Sequence, residues 1–147
     1  MRIVEVTYRT PDLLNRLLAV WESSVRATHL FLSNDEIKSI KKYVPQALND
    51  ITHLIIAKDE ADSPVAFMGI ENGTLEMLFI SSEERGRGLG KRLIQYGIKR
   101  YAVERLAVNE QNPQAKGFYE HMGFQVCKRS ELDEQKNPYP ILFMKIK

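Results

Sequence analysis

The chain carries a single cysteine, Cys127, so no internal disulfide can form, and a reducing compartment is its natural setting. Histidine is scarce too, with three in 147 residues. No Cys, His and carboxylate group has the spacing of metal ligands, and no metal is expected. Long apolar runs are missing: a stretch such as Leu54 to Ala57 is far too short to cross a bilayer. The first residues, Met1 to Tyr8, alternate and include Glu5, the pattern of a strand rather than of a signal segment. A soluble, cytoplasmic chain with no membrane partner is therefore expected. Charge of one sign is also missing. The formal net charge is +2 although 27% of residues are charged, which implies neither a nucleic-acid binder nor an acidic tail. No repeat, low-complexity tract or linker divides the chain. An apolar content of 44% suits one compact domain over residues 1–147.

What is present orders itself into alternating elements. Thr10-Pro11 reads as an N-cap followed by proline at the first helical position. Leu13, Leu14, Leu17, Leu18, Trp21 and Val25 then follow helical spacing. Ser33 and Glu36 have capping-box spacing ahead of Ile37, Ile40 and Val44, with Pro45 ending or kinking that second helix. His53 to Lys58, Pro64 to Glu71 and Thr74 to Ile80 read as three strands of an antiparallel meander. Asn72-Gly73 supplies the hairpin turn between the last two. A helix follows with Leu89, Leu93, Ile94, Gly97, Ile98 and Tyr101 on one face. Next come a short buried strand, Arg105 to Val108, and a helix from Pro113 to Met122 with Gly123 at its C-terminal glycine position. Phe124 to Lys128 and Ile141 to Lys147 close the chain as strands. The order predicts an α/β or α+β domain around one mixed sheet.

The most informative segment is the strand ending at Ile80, then Arg85-Gly86-Arg87-Gly88-Leu89-Gly90-Lys91-Arg92 at the start of a helix. The first N–H groups of a helix lack intrahelical partners, and the helix dipole favours negative charge there. Glycines let an anion approach the backbone. Two nucleotide loops fail on particular residues. For a Walker A loop, Arg85 stands where the first glycine belongs and Arg92 where a hydroxyl belongs. For a dinucleotide fingerprint, Lys91 stands where a glycine is needed, and the preceding hairpin is antiparallel.

Arg85-x-x-Gly88-x-Gly90, after a fourth strand and opening a third helix, resembles the Q/R-x-x-G-x-G/A signature of the GNAT (GCN5-related) N-acetyltransferases. Val108-Asn109-x-x-Asn112-x-x-Ala115-x-x-Phe118-Tyr119-x-x-x-Gly123-Phe124 is similar to the second half of that family's cofactor site. The resemblance spans the chain. It implies a mixed sheet of about seven strands, mostly antiparallel, flanked by about four helices. It also implies acetyl transfer from acetyl-coenzyme A to the amine of a small molecule or peptide, by direct attack in a ternary complex, in a monomer or homodimer. The cofactor's pantetheine arm would lie against Leu78, Phe79 and Ile80. Its pyrophosphate would meet Arg85, Gly86, Arg87, Gly88, Leu89, Gly90 and Lys91, and Asn112 would touch it as well. Tyr119 would both contact the cofactor and protonate the departing thiolate.

That chemistry is sound on its own terms. An amine attacks a thioester only when deprotonated, and a phenol can protonate a departing thiolate, whose ordinary pKa is ~8.5. Two residues compete as base: Glu76, expected on the face of Leu78 and Ile80, and His29, in the loop between the first helices. Trp21, His29, Phe31, Glu76 and Tyr139 are the candidate acceptor-site residues. Each has a plainer alternative. Trp21 falls on the apolar helix stripe, Tyr119 can pack in the core, Glu76 can face solvent, and His29 can bond backbone. Cys127 reads as a buried, inert thiol, and His53 and His121 have no motif around them. Two other functions compete with catalysis. One is an acyl-coenzyme A sensor without turnover. The other, disfavoured by Glu83 and Glu84 beside the basic cluster, is a small nucleic-acid binder.

Overall fold

The computed structural model describes residues 1–147. Its strands are β1 (Arg2–Glu5), β2 (His53–Lys58), β3 (Pro64–Glu71), β4 (Thr74–Ile80), β5 (Arg105–Asn109), β6 (Phe124–Ser130) and β7 (Ile141–Ile146). Its helices are α1 (Pro11–Thr28), α2 (Asn34–Lys41), α3 (Val44–Asp50), α4 (Leu89–Tyr101) and α5 (Pro113–His121), with a 3₁₀ turn at Ser82–Glu84. The seven strands form one sheet in the order β1-β2-β3-β4-β5-β7-β6. Every pairing is antiparallel except β4 with β5.

The local signals act as their chemistry dictates. Thr10 accepts a hydrogen bond from Leu13 N at 3.1 Å and caps α1. Ser33 and Glu36 form the reciprocal capping box of α2 at 3.1 and 2.9 Å. Asn72 and Gly73 both have positive φ, 47° and 73°, as the tight turn between β3 and β4 requires. Pro45 acts differently from expectation. The helix begun at α2 breaks after Lys41, and Pro45 sits in the first turn of α3, where its missing N–H leaves no hydrogen bond unmade. The predicted second helix is thus two short ones, and the glycine-rich turn opens α4.

Two apolar layers sandwich the sheet. On one face α1, α2 and α3 pack Leu17, Trp21, Val25, Ile37 and Leu48 against Leu54, Ile56 and Phe67. On the other, α4 and α5 pack Leu89, Leu93, Ile94 and Tyr119 against Ile55, Met68, Ile70 and Leu106. The interior strand β3 is buried on both sides from Ala66 to Ile70. Strand β5 buries less than expected: Leu106 is buried, whereas Arg105 and Ala107 are exposed. No helix is long and apolar enough to cross a membrane.

Three irregularities matter for function. β5 meets β4 only at Thr74↔Arg105 and Leu75↔Leu106, so the two strands diverge beyond Leu75. On its other edge β4 carries a bulge: Gly69 faces Met77 and Ile70 faces Leu75, leaving Glu76 without a partner. A second bulge, between Val126 and Lys128, leaves Cys127 unpaired on the outer strand β6. Cys127 is exposed, like every residue from Gln125 to Arg129, with its thiol 3.4 Å from Phe143 O, and the expectation of a buried thiol does not hold.

Candidate active site

The divergence of β4 and β5 opens a cleft between the two halves of the sheet. Ser81 N donates to Val65 O on β3, at 2.8 Å. In an antiparallel ladder alternate N–H groups leave by opposite edges. Leu78 and Ile80 therefore aim their N–H groups into the cleft. Ile80 N finds Ser24 Oγ of α1 at 3.3 Å, and Ser24 is the one buried polar residue of the chain.

The glycine-rich turn lies at the mouth of this cleft. Gly86 and Gly88 have φ of 77° and 80°, and Gly88 is the N-cap of α4 with no side chain capping it. A Cβ at either glycine would meet nothing within 4 Å, so conformation rather than crowding requires glycine at these positions. The first helical hydrogen bond at this end is Arg92 N to Gly88 O, at 3.1 Å. From Gly86 to Lys91 no backbone N–H donates within the protein. Six consecutive donors thus face outward at the positive end of a helix dipole. At Gly90 an added Cβ would meet Ile80 at 3.2 Å and Phe118 at 3.4 Å, so the missing side chain lets α4 close on β4 and α5.

A cavity of about 440 Å³ runs from this turn into the cleft. Leu78, Phe79, Ile80, Arg85, Gly86, Gly88, Leu89, Gly90, Lys91, Asn112 and Tyr119 line it, eleven of the residues expected to meet a cofactor. Arg87 does not. Its guanidinium stands 3.7 Å from Glu84, the single carboxylate in the lining, and offsets that negative charge. Asn112 caps α5 by accepting from Ala115 N at 3.3 Å, which leaves its NH₂ free. The sequence reading missed Ser24, Thr28, Glu84, Gln114, Ala115 and Phe118 in this lining. Gln114 accepts from Arg85 at 3.1 Å and steadies it. Phe118 also packs against the apolar core, and an inner helix face and a cavity wall have the same apolar signature.

A second cavity, of about 350 Å³, lies on the α1–α2 side. Trp21, His29, Phe31 and Tyr139, four of the five expected acceptor-site residues, line it. Rings pack in series along its wall, with His29 to Phe31 at 5.5 Å and Phe31 to Tyr139 at 5.4 Å. Its carboxylates are Glu36 and Asp133. The Tyr139 hydroxyl donates to Glu36, which joins the start of α2 to the loop before β7. That bond holds the Glu36 carboxyl below and the Tyr139 phenol above their ordinary pKa values. His29 and Phe79 line both cavities, so the two spaces meet there.

Glu76 is the fifth expected acceptor residue, and it lines neither cavity. The bulge breaks the alternation that would put it on the face of Leu78 and Ile80. Desolvation, then repulsion from Glu134 and Glu71, raises its pKa. His29 ends α1, and burial alone lowers its pKa, so the imidazole is held neutral. Burial alone raises the pKa of Tyr119. Arg9 Nε is the one buried side-chain polar atom in the chain without a partner. The Tyr119 hydroxyl makes no hydrogen bond in the protein, so it opens onto the cavity its residue lines. Nowhere do three His, Cys, Asp or Glu side chains gather in a metal-binding group.

A seven-stranded mixed sheet that splits at β4/β5, with a glycine-rich helix start at the split, defines an acyltransferase architecture. The acetyltransferase (GNAT) domain family matches residues 23–146, and the chain belongs to that family. It is 41% identical over 127 residues to the peptidyl-lysine N-acetyltransferase YjaB of Salmonella typhimurium, covering 86% of this chain and 87% of that protein. To the YjaB of Escherichia coli K12 it is 39% identical over 130 residues, covering 86% and 85%. The solution structure of apo YjaB from Escherichia coli superposes with a TM-score of 0.87 at 38% identity, covering 99% of this chain and 97% of that one. The fold also matches a Thermoplasma acidophilum PaiA N-acetyltransferase in complex with coenzyme A, with a TM-score of 0.72 at 23% identity and 99% of each chain covered.

Proposed function

We propose that this chain transfers the acetyl group of acetyl-coenzyme A to the side-chain amine of lysine in a peptide or protein. The observation that carries the reading is the joining of an anion-binding helix start to an aromatic cavity with carboxylates, through the shared wall of His29 and Phe79. The free N–H groups from Gly86 to Lys91, with Arg85 and Lys91, suit a pyrophosphate. The open edge of β4 offers amide groups to an extended, amide-bearing arm. The second cavity suits an alkyl-ammonium chain: the rings of Trp21, Phe31 and Tyr139 take the methylenes, and Glu36 and Asp133 attract the charge. The relatives named peptidyl-lysine N-acetyltransferases support that acceptor.

In this reading the lysine ammonium, with an ordinary pKa of ~10.4, gives up a proton to His29. The free amine attacks the thioester carbonyl, a C–N bond forms, the C–S bond breaks, and the attacking nitrogen sheds its surplus proton, replacing the one that Tyr119 gives. Tyr119 protonates the leaving sulfur. Burial keeps the phenol neutral and therefore able to donate. The same desolvation raises the proton affinity of a thiolate formed beside it, which keeps the two groups matched. Glu76 has no part in this chemistry, since it lines neither cavity.

A coenzyme A release assay over lysine peptides, N-terminal amines, polyamines and aminoglycosides tests the proposal. Turnover should be greatest with internal lysine in peptides. Turnover with small amines alone would overturn the acceptor. Binding of acetyl-coenzyme A with no turnover on any class would favour the sensor instead.

A further inference from the structure

The base in this reaction must present a nitrogen that carries no proton. A neutral imidazole has one N–H and one bare nitrogen, and its partners decide which is which. His29 Nδ1 lies 2.8 Å from Thr28 Oγ1, and the same oxygen lies 2.8 Å from Ser24 O. Thr28 has one hydroxyl hydrogen to give. If it goes to Ser24 O, which can only accept, then Nδ1 must carry the imidazole proton and donate it to Thr28 Oγ1. Both short contacts are then hydrogen bonds. If the hydroxyl turns to Nδ1 instead, only one bond forms, and two oxygens face each other at 2.8 Å with no proton between them. Two bonds, against one bond and one repulsive contact, decide the arrangement.

We infer that Thr28 is a positioning residue that locks His29 in its Nδ1–H form, leaving Nε2 as a bare acceptor open to the acyl-transfer site. Nε2 makes no hydrogen bond in the protein and is not among its buried orphans, so it is accessible to solvent, on a residue that lines both cavities. The charged groups lining those cavities are Glu36, Asp133, Glu84, Arg85 and Lys91, and none of them bonds to the ring. Burial, which disfavours the imidazolium, keeps the ring neutral between turnovers. The geometry also explains why the lock sits at a helix end. His29 caps α1 and its backbone N–H is spent on Val25 O at 2.8 Å, which fixes the ring's root while Thr28, one residue back, fixes its edge. The inference rests on the acyl-transfer reading with His29 as base, but its test separates the two.

Long-range ¹H–¹⁵N spectra of the folded enzyme at neutral pH read the tautomer directly, with His29→Ala assigning its signals among the three histidines. Nδ1 should be the protonated nitrogen. In Thr28→Val, which keeps the shape and removes the hydroxyl, the ring should move toward the Nε2–H form. Turnover should then fall about 10–100-fold, by analogy with the loss of the outer partner of a metal-bound imidazole. Thr28→Ser should restore both tautomer and rate. An Nε2–H ring in the wild type overturns the inference, as does an unchanged tautomer in Thr28→Val. If Nδ1 is protonated but His29→Ala keeps full activity, the lock is upheld and His29 leaves the chemistry.

Discussion

Tyr119 is buried and His29 half-buried, and desolvation rather than a charged neighbour favours the neutral form of both. Removing the phenol hydroxyl takes away a proton donor and leaves the apolar packing of the ring intact. Tyr119→Phe should therefore lower kcat by roughly 10²-fold or more, with little change in acetyl-coenzyme A affinity by calorimetry. His29 makes a pH prediction whose direction is opposite to that of a paired histidine. Its folded pKa lies below the ordinary 6.5, so the unfolded chain binds the proton first as pH falls. Stability should decline as pH drops through 6.5 toward the folded value and then level off, because both states are protonated by then. His29→Asn should flatten that part of a melting-temperature profile. The acidic limb of kcat/KM should likewise sit below 6.5. Glu5 contributes separately, at lower pH. Bonds from Tyr101 and His53 lower its pKa, so its contribution is present above the ordinary carboxylate value and fades as pH falls through the folded one.

Among the elements, the opening of α4 rests on torsion angles that only glycine holds at low cost. Gly88→Ala meets no steric obstacle, so its cost is conformational, ~1–2 kcal/mol. Either the variant keeps φ at 80° and melts lower, or the turn shifts and the N–H groups lose their aim. In either case the added Cβ occupies the open space through which an anion would approach the backbone, so acetyl-coenzyme A binding should weaken in a titration, and unchanged affinity would argue against an anion site there. This turn was legible in the sequence because glycine spacing and helix start are local properties. So were the caps at Thr10 and Ser33 and the hairpin at Asn72-Gly73. The exposure of Cys127 was not, because nothing covers either face of the outer strand β6 from Gln125 to Arg129. Nor was the face of Glu76, because it stands on a bulge. A bulge is set by how two strands align across the sheet, and neither strand's own pattern records it. Pro45 was legible as an interruption but not as the start of α3, since proline reads alike after one helix and at the head of the next.

Across the whole molecule, the alternation of strand and helix foretold a mixed sheet, whereas the split between β4 and β5 was hidden. It depends on only two residue pairs, and the segments on either side look like ordinary strands. The two cavities follow from that split, which is why Ser24 and Thr28, ordinary polar residues on a helix, could not be placed beside a ligand from sequence. The split also means that the protein carries an unfinished border in the middle of its sheet rather than at its rim. Exposed strand borders invite other chains to add to them. An acetyl-coenzyme A molecule lying in the cleft would cover this one, and binding at 100 times Kd would add about 2.7 kcal/mol of stability. The ligand-free protein should accordingly clump on mild heating and stay dispersed when acetyl-coenzyme A is supplied, a difference that light scattering can follow. Abundance of active protein would then track the supply of its own acyl donor, with no regulator beyond an incomplete seam.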